Sequence, residues 1–114
     1  MRERKGEMEE KILSKVESLE EQMIQGILEL VKIDSVEREA ECGAPFGAGV
    51  REALLKALEL GERLGFRSVN LDNHIGYVEY GQGEDYVCAM GHVDVVPVGE
   101  GWRHPPCSGD MEDG

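Results

Sequence analysis

YVCAMGHVDVVPVGEGWRHPPCSGDMEDG, residues Tyr86 to Gly114, opens with a short apolar run and then enters a loop rich in glycine and proline. The loop begins by presenting a histidine and a carboxylate, His92 and Asp94. An α/β protein places reactive side chains in this way, at the carboxyl end of a strand. We therefore expect the stretch to form one corner of a metal site, with the rest of that site outside these 114 residues.

The spacing of His92 and Asp94 suits a metal site. Two residues apart on a strand, the side chains project to the same side. A histidine that binds zinc commonly donates its second ring N–H to a carboxylate, which fixes the tautomer and improves the metal-binding nitrogen. The pair alone also fits a simpler interpretation, in which a histidine at a strand end is satisfied by a neighbouring carboxylate.

The bulk composition is that of one globular domain over residues 1–114, with 40% hydrophobic and 32% charged residues. The formal net charge of −12 would repel phosphate backbones, so nucleic acid is not an expected partner. Three cysteines without C-x-x-C spacing argue against a disulfide framework and fit a reducing cytoplasm. No apolar run approaches the roughly 20 residues that span a bilayer, and the charged N-terminus does not resemble a signal peptide. We expect a cytoplasmic protein without membrane association.

The N-terminal part has the periodicity of an amphipathic helix, predicted from about Glu7 to Lys32. The heptad-like spacing also allows a coiled coil. The pattern covers about three heptads and is interrupted by Gly26, so a helix packed on its own domain is preferred. The apolar residues that recur at steps of three and four are Met8, Ile12, Val16, Leu19, Met23, Ile27, Leu30 and Val31.

The central part of the chain predicts a loop followed by a second helix. Residues Glu37 to Phe46 show no periodicity and contain glycine and proline, which favours a loop. The helix is predicted from about Ala48 to Leu64, with Gly65 as the C′ glycine that ends it. Its apolar stripe consists of Val50, Leu54, Leu58 and Leu64, widened by Ala53 and Leu55.

Three short strands are predicted after the second helix, from Arg67 to Leu71, from Ile75 to Tyr80 and from Tyr86 to Met90. The connecting segments have strong turn compositions and are short enough for antiparallel hairpins. The third strand is a continuous apolar run, which predicts burial on both faces. Two helices followed by three strands of a central sheet indicate an incomplete layered α/β domain.

Four motifs together resemble one enzyme family. The block Gly91 to Pro106, GHVDVVPVGEGWRHPP, is similar to the first metal-ligand block of zinc-dependent peptidases and deacylases such as acetylornithine deacetylase, succinyl-diaminopimelate desuccinylase and carnosinase. The upstream motifs I-D-S-V (Ile33 to Val36), A-P-F-G (Ala44 to Gly47) and GYVEYGQGEDY (Gly76 to Tyr86) resemble the PepV-type dipeptidases within that family. The resemblance implies the N-terminal portion of a metallopeptidase catalytic domain.

The family resemblance implies a role for each member of the pair. His92 would bind one of two zinc ions, and Asp94 would be the catalytic carboxylate that orients it. The implied substrate is a dipeptide or small peptide, cleaved by a metal-activated water. The family's bridging aspartate, its Glu-Glu pair and its remaining ligands are expected beyond Gly114. One ligand is fewer than the roughly three that catalytic zinc requires, so the isolated chain is expected to be inactive as a peptidase.

Other functions remain open on the sequence alone. The chain could belong to an N-acyl amino acid deacylase. It could instead be a gene remnant or a non-catalytic interaction module that associates through its long helix, through unpaired sheet edges or with a missing C-terminal piece. A third hypothesis combines His92, His104 and Cys107 in an improvised zinc site.

Four further side chains are interpreted as structural. Cys42 is expected to be an inert loop thiol, and Cys107 a buried thiol in preference to a metal ligand. His74 is expected to lie in a loop without binding metal. The same is expected of His104 unless it joins His92 and Cys107 in the improvised site. Trp102 is expected to anchor its loop and not to contact substrate.

Overall fold

The structure, a computed structural model, describes residues 2–114, with side chains from residue 4 onward. Helices and strands are both present, which confirms the α/β composition, although two strands form and not three. The elements in chain order are α1 (Arg2–Ser18), α2 (Glu20–Val31), α3 (Ala48–Arg63), β1 (Arg67–Leu71) and β2 (Ile75–Glu79).

The single N-terminal helix predicted from the sequence is divided into α1 and α2 at Leu19. The Ser18 hydroxyl donates to the Lys15 carbonyl at 2.7 Å. The Leu19 N–H donates to the Val16 carbonyl, three residues back, at 3.0 Å. A hydroxyl that bonds to its own helix in this way competes with the backbone and bends the helix. The serine therefore accounts for a break that hydrophobic periodicity does not reveal.

Helix α3 ends as the sequence predicts, within one residue of the expected position. Gly65 has a φ of +89°, in the left-handed region that favours glycine. Its N–H donates to the Glu62 carbonyl at 2.9 Å, and the Phe66 N–H donates to the Gly61 carbonyl at 3.0 Å. These two bonds form a Schellman motif, which satisfies carbonyls that the helix end would otherwise leave unpaired.

Strands β1 and β2 form the predicted antiparallel hairpin, in a register that pairs Arg67 with Glu79 and Leu71 with Ile75. The turn places Asp72 and Asn73 at φ values of 53° and 60°, a conformation that asparagine and aspartate tolerate better than most residues. The Asn73 side chain then donates to the Gly43 carbonyl at 2.7 Å. The turn is thereby tied to the loop that precedes α3.

Helix α3 contacts α2 on one side and the hairpin on the other, and glycines permit the close approach. A Cβ added at Gly61 would lie 2.5 Å from Val78 Cγ1, and one added at Gly76 would lie 3.0 Å from Leu58 Cδ1. The stripe predicted for α3 is only partly covered, since Leu55 and Leu64 remain exposed. The buried apolar side chains of the described residues are Ala44, Val50, Ala53 and Leu58.

The predicted third strand, residues 86–90, does not form. A strand is stabilised by hydrogen bonds to a neighbour, and within residues 2–114 no strand lies beside this segment. Its side chains are consequently not buried on both faces as predicted. Tyr86 and Met90 are 88% and 93% exposed.

The chain leaves much of its apolar surface uncovered. Its accessible surface is 9892 Å², whereas a folded monomer of this mass exposes roughly 6,200 Å². Exposed large apolar side chains occur on α1, α2, the hairpin and the C-terminal loop. Within residues 2–114, no helix combines the length and the apolar character needed to cross a bilayer.

Substitution of Gly49 should test whether the start of α3 needs a residue without a side chain. A Cβ at Gly49 would collide with the backbone carbonyl of Asp34, which cannot move without displacing its loop. We expect Gly49→Ala to lower the free energy of unfolding by about 1–3 kcal/mol in urea titrations followed by circular dichroism. Gly26→Ala is the control, because its Cβ would meet Leu60 Cδ2 at an ordinary 3.6 Å. Equal effects of the two substitutions would contradict the packing described.

The ion pair between α2 and α3 should make stability depend on pH. A hydrogen bond from Arg63 at 2.7 Å is the main cause that lowers the pKa of Glu29. A lowered carboxyl pKa stabilises the fold above the ordinary glutamate pKa of about 4.3, and this contribution is lost as pH falls through the lowered value. We expect Glu29→Gln to reduce stability at about pH 7 and to have little effect at about pH 2. A difference between the two proteins that is the same at both pH values would contradict this role.

Candidate functional site

The segment that carries the histidine and the aspartate lies beside residues 34–36. The Val95 N–H donates to the Ser35 carbonyl at 3.1 Å, and Val95 pairs with Val36 in an isolated parallel bridge. Ser35 is itself buried, at 3% exposure. The structure thus brings together the I-D-S-V and G-H-V-D-V motifs, which are about 60 residues apart in the chain.

His92 contacts Asp94 through one ring nitrogen. The Nδ1 atom of His92 lies 2.9 Å from the Asp94 backbone carbonyl and 3.2 Å from its carboxylate Oδ1. Both neighbours are oxygens that accept hydrogen bonds, so the arrangement suits the tautomer that carries its proton on Nδ1. In the neutral ring Nε2 then has a free lone pair, which is the form of imidazole that binds metals. Both contacts of Asp94 are thus with Nδ1 of His92.

The pair fits one corner of a zinc site but not a complete one. The His92 side chain is 81% exposed, so its ring is accessible from solvent. Among residues 2–114, no group of three or more histidine, cysteine, aspartate or glutamate side chains is placed to hold a metal ion. Catalytic zinc uses about three protein ligands plus a water. The described residues thus bring His92 and Asp94 together but gather no set of three potential ligands.

The improvised site of His92, His104 and Cys107 is not formed, which corrects that hypothesis for the described residues. His104 Nε2 lies 3.0 Å from Glu112 Oε2, and its Nδ1 lies 3.7 Å from an Asp110 oxygen. The hydrogen bond from His104 is the main cause that lowers the pKa of Glu112. His104 therefore holds the C-terminal loop together through its contacts with Asp110 and Glu112. Cys107, three residues further along the chain, is half-buried.

The other singled-out side chains have structural contacts. His74 bonds through Nδ1 to the Asp72 carbonyl at 3.0 Å and packs edge-on against Phe46. Trp102 donates from Nε1 to the Val98 carbonyl at 2.7 Å, which anchors its loop by a hydrogen bond. Cys42 is an exposed free thiol.

An open cleft of about 840 Å³ lies between residues 34–38 and the loops of residues 97–99 and 105–108. Its lining includes Asp34 and Arg38, which form an ion pair at 2.8 Å that lowers the pKa of Asp34. His92 and Asp94 do not line it. Sequence reasoning did not single out this ion pair, because Asp34 and Arg38 lie outside the helices and the path of the loop brings their side chains together. The cleft depends on contacts between distant segments, which no local pattern reveals.

The tautomer of His92 can be measured directly. We expect the neutral ring to carry its proton on Nδ1, because both neighbouring atoms accept hydrogen bonds. Nitrogen chemical shifts of the histidine rings, recorded by NMR in mildly alkaline solution, distinguish the two tautomers. Asp94→Ala removes the carboxylate contact at 3.2 Å but keeps the backbone carbonyl at 2.9 Å, so any fall in the Nδ1–H population measures the contribution of the carboxylate alone. A proton found mainly on Nε2 in the unchanged protein would contradict the proposed orientation.

Comparisons with known proteins agree on one group of relatives. No family model matches the chain. It is 44% identical over 96 residues to "Putative dipeptidase YtjP" of Bacillus subtilis, a match that covers 82% of this chain and 21% of that protein. Proteins named "Putative dipeptidase" from Staphylococcus epidermidis and Staphylococcus aureus are 43% and 39% identical over 94 residues, which is 81% of this chain and 20% of each relative. The chain spans about a fifth of the length of the curated relatives it matches, and over most of its own length it is homologous to a segment of proteins named as dipeptidases.

Proposed function

We propose that this chain is part of the catalytic domain of a cytoplasmic zinc-dependent dipeptidase. His92 would bind one zinc ion through Nε2, and Asp94 would orient it through Nδ1. The observation that carries the proposal is the pairing of His92 with Asp94 beside the I-D-S-V segment, in a chain whose relatives are named as dipeptidases.

The chemistry of the pair supports a metal-ligand role over a purely structural one. The His92 side chain is 81% exposed, so its ring is accessible to a metal ion held by groups outside the described residues. Its Nδ1 contacts two oxygens of Asp94, so ring rotation is restrained. Carboxylate partners of this kind raise the basicity of the nitrogen that binds the metal.

Zinc, when bound in such a site, polarises the scissile carbonyl and lowers the pKa of a bound water to about 7. The residues of this chain would contribute only one zinc ligand and the orientation of its ring. His92 would hold its ring in a fixed tautomer, and Asp94 would keep the proton on Nδ1. The remaining ligands would come from outside the described residues, because these gather no group of three potential ligands. We therefore expect no dipeptide hydrolysis by the 114-residue chain alone.

Two other interpretations receive less support. An N-acyl amino acid deacylase would use the same pair, but the relatives' names favour peptides. A non-catalytic interaction role is favoured by the exposed apolar side chains of α1 and α2, which do not conflict with a metal site elsewhere. The cytoplasmic assignment is supported by three free cysteines, which persist in a reducing compartment.

A chimeric protein tests the proposed function. The matching segment of the Bacillus subtilis relative would be replaced by the corresponding segment of this chain, which supplies His92 and Asp94 in a polypeptide of full length. We expect the chimera to hydrolyse dipeptides, to lose the activity when zinc is chelated and to regain it when zinc is restored. His92→Ala should abolish the activity, and Asp94→Ala should lower kcat/KM by about 10–100-fold.

His74→Ala is the matched control, because His74 also bonds to a backbone carbonyl through Nδ1 but has no carboxylate at that nitrogen. We expect it to change kcat/KM by less than about twofold. A chimera that folds and binds zinc but retains full activity without His92 would contradict the assignment. Hydrolysis of N-acyl amino acids without hydrolysis of dipeptides would favour the deacylase interpretation.

A further inference from the structure

The segment that carries His92 is anchored through its backbone at Val95. Within residues 2–114, one backbone hydrogen bond joins residues 91–98 to an earlier part of the chain, from the Val95 N–H to the Ser35 carbonyl at 3.1 Å. Val95 itself is 46% exposed, and just beyond it an open cleft separates residues 34–38 from the rest of the segment. The position of His92, three residues before Val95, therefore depends on where the Ser35 carbonyl is held.

The start of α3 holds the Ser35 carbonyl in place. A Cβ added at Gly49 would collide with the Asp34 carbonyl oxygen and would lie 3.0 Å from the Asp34 carbonyl carbon. That carbonyl belongs to the planar peptide group that joins Asp34 to Ser35, so a displacement of one residue moves the other. The Ser35 side chain is 3% exposed and has little room to absorb the movement. A side chain at position 49 would thus disturb the bond between Ser35 and Val95.

The A-P-F-G motif holds the other end of residues 34–38. The Arg38 N–H donates to the Phe46 carbonyl at 3.0 Å. Gly47 has a φ of +94°, and a Cβ there would lie 2.9 Å from Arg38 Cβ and 3.3 Å from Arg38 N. Ala44, at the beginning of the motif, is buried at 1% exposure. The motif therefore fixes the far end of this loop against the residues that precede α3.

Side-chain contacts connect the two ends of the loop. Asp34 Oδ2 and the Arg38 guanidinium form an ion pair at 2.8 Å, and the Val36 N–H donates to Asp34 Oδ1 at 3.4 Å. The ion pair is exposed, so it contributes little to overall stability. Its effect is local, because it links the residue that contacts Gly49 to the residue that contacts the A-P-F-G motif.

We propose that Gly49 is a positioning residue for His92. By admitting the backbone of residues 34–38 close to α3, it sets the point at which Val95 is anchored. Binding sites need their ligands held within about 0.5 Å, so a displaced loop would carry His92 out of its metal-binding geometry. The consequence for zinc rests on the proposed dipeptidase function, whereas the positioning itself is a property of the metal-free chain.

Gly49→Ala and Gly61→Ala form a matched pair of substitutions. Both glycines lie on α3, and a Cβ at Gly61 would lie 2.5 Å from Val78 Cγ1, so each substitution should destabilise the fold. Val78 belongs to the hairpin, which is not part of the path from Gly49 to His92. The two variants therefore separate a general loss of stability from a loss of positioning.

NMR of the metal-free 114-residue chain measures the positioning. We expect Gly49→Ala to shift the Val95 amide and His92 ring signals and to weaken the nuclear Overhauser contact across the Val36–Val95 bridge. Gly61→Ala should lower the unfolding midpoint yet leave these signals in place. Unchanged signals in Gly49→Ala, or equal changes in both variants, would overturn the proposal.

Asp34→Ala keeps the test decisive if Gly49→Ala does not fold. It removes the ion pair with Arg38, and the hydrogen bond that the carboxylate accepts within the loop, without adding a side chain to α3. We expect a smaller shift of the same Val95 and His92 signals, with stability nearly unchanged because the ion pair is exposed. No shift of either signal would overturn the proposal.

The dipeptidase chimera tests whether the positioning affects zinc. Zinc affinity, measured by competition with a chelator, should fall by about tenfold or more in Gly49→Ala and by less than about twofold in Gly61→Ala. A chimera that binds zinc equally well without His92 would contradict the proposed function and leave the metal-free NMR result standing. Zinc affinity that requires His92 but does not respond to Gly49→Ala would contradict the positioning role.

Discussion

The fold depends on the close approach of α3 to its neighbours, which glycines make possible. Gly49 lies against the backbone of Asp34, and Gly61 lies against Val78 of the hairpin. The first contact fixes residues 34–36 at the start of α3. The buried Ser35 then offers its carbonyl to Val95 and so positions the segment that carries His92. A backbone contact at one end of a helix is thus linked to the placement of His92.

Residues that act on the neighbouring backbone, at a helix end and in a turn, correctly predicted the elements that they form. The end of α3 follows from the glycine at position 65, and the hairpin follows from the Asp72-Asn73-His74 turn. The division between α1 and α2 was not predicted, because it depends on a hydroxyl–carbonyl hydrogen bond that hydrophobic spacing does not encode. The third strand was predicted and is absent, because a strand requires a neighbour and residues 2–114 provide none beside it.

The candidate site likewise combines contacts that the sequence could predict with contacts that it could not. The pairing of His92 with Asp94 is a contact between residues two apart, so the sequence could predict it. The engagement of His104 by Glu112 and the position of the half-buried Cys107 depend on the path of the C-terminal loop. Tertiary contacts of this kind lie beyond what periodicity and spacing specify.

We propose above that this segment delivers His92 to a zinc ion with its ring oriented by Asp94. Anomalous diffraction at the zinc absorption edge, from crystals of the zinc-loaded chimera, tests it most directly. We expect a zinc peak about 2.0–2.1 Å from His92 Nε2, with Nδ1 directed at Asp94. A bound zinc ion that leaves His92 unliganded, or that is held through Nδ1, would contradict it.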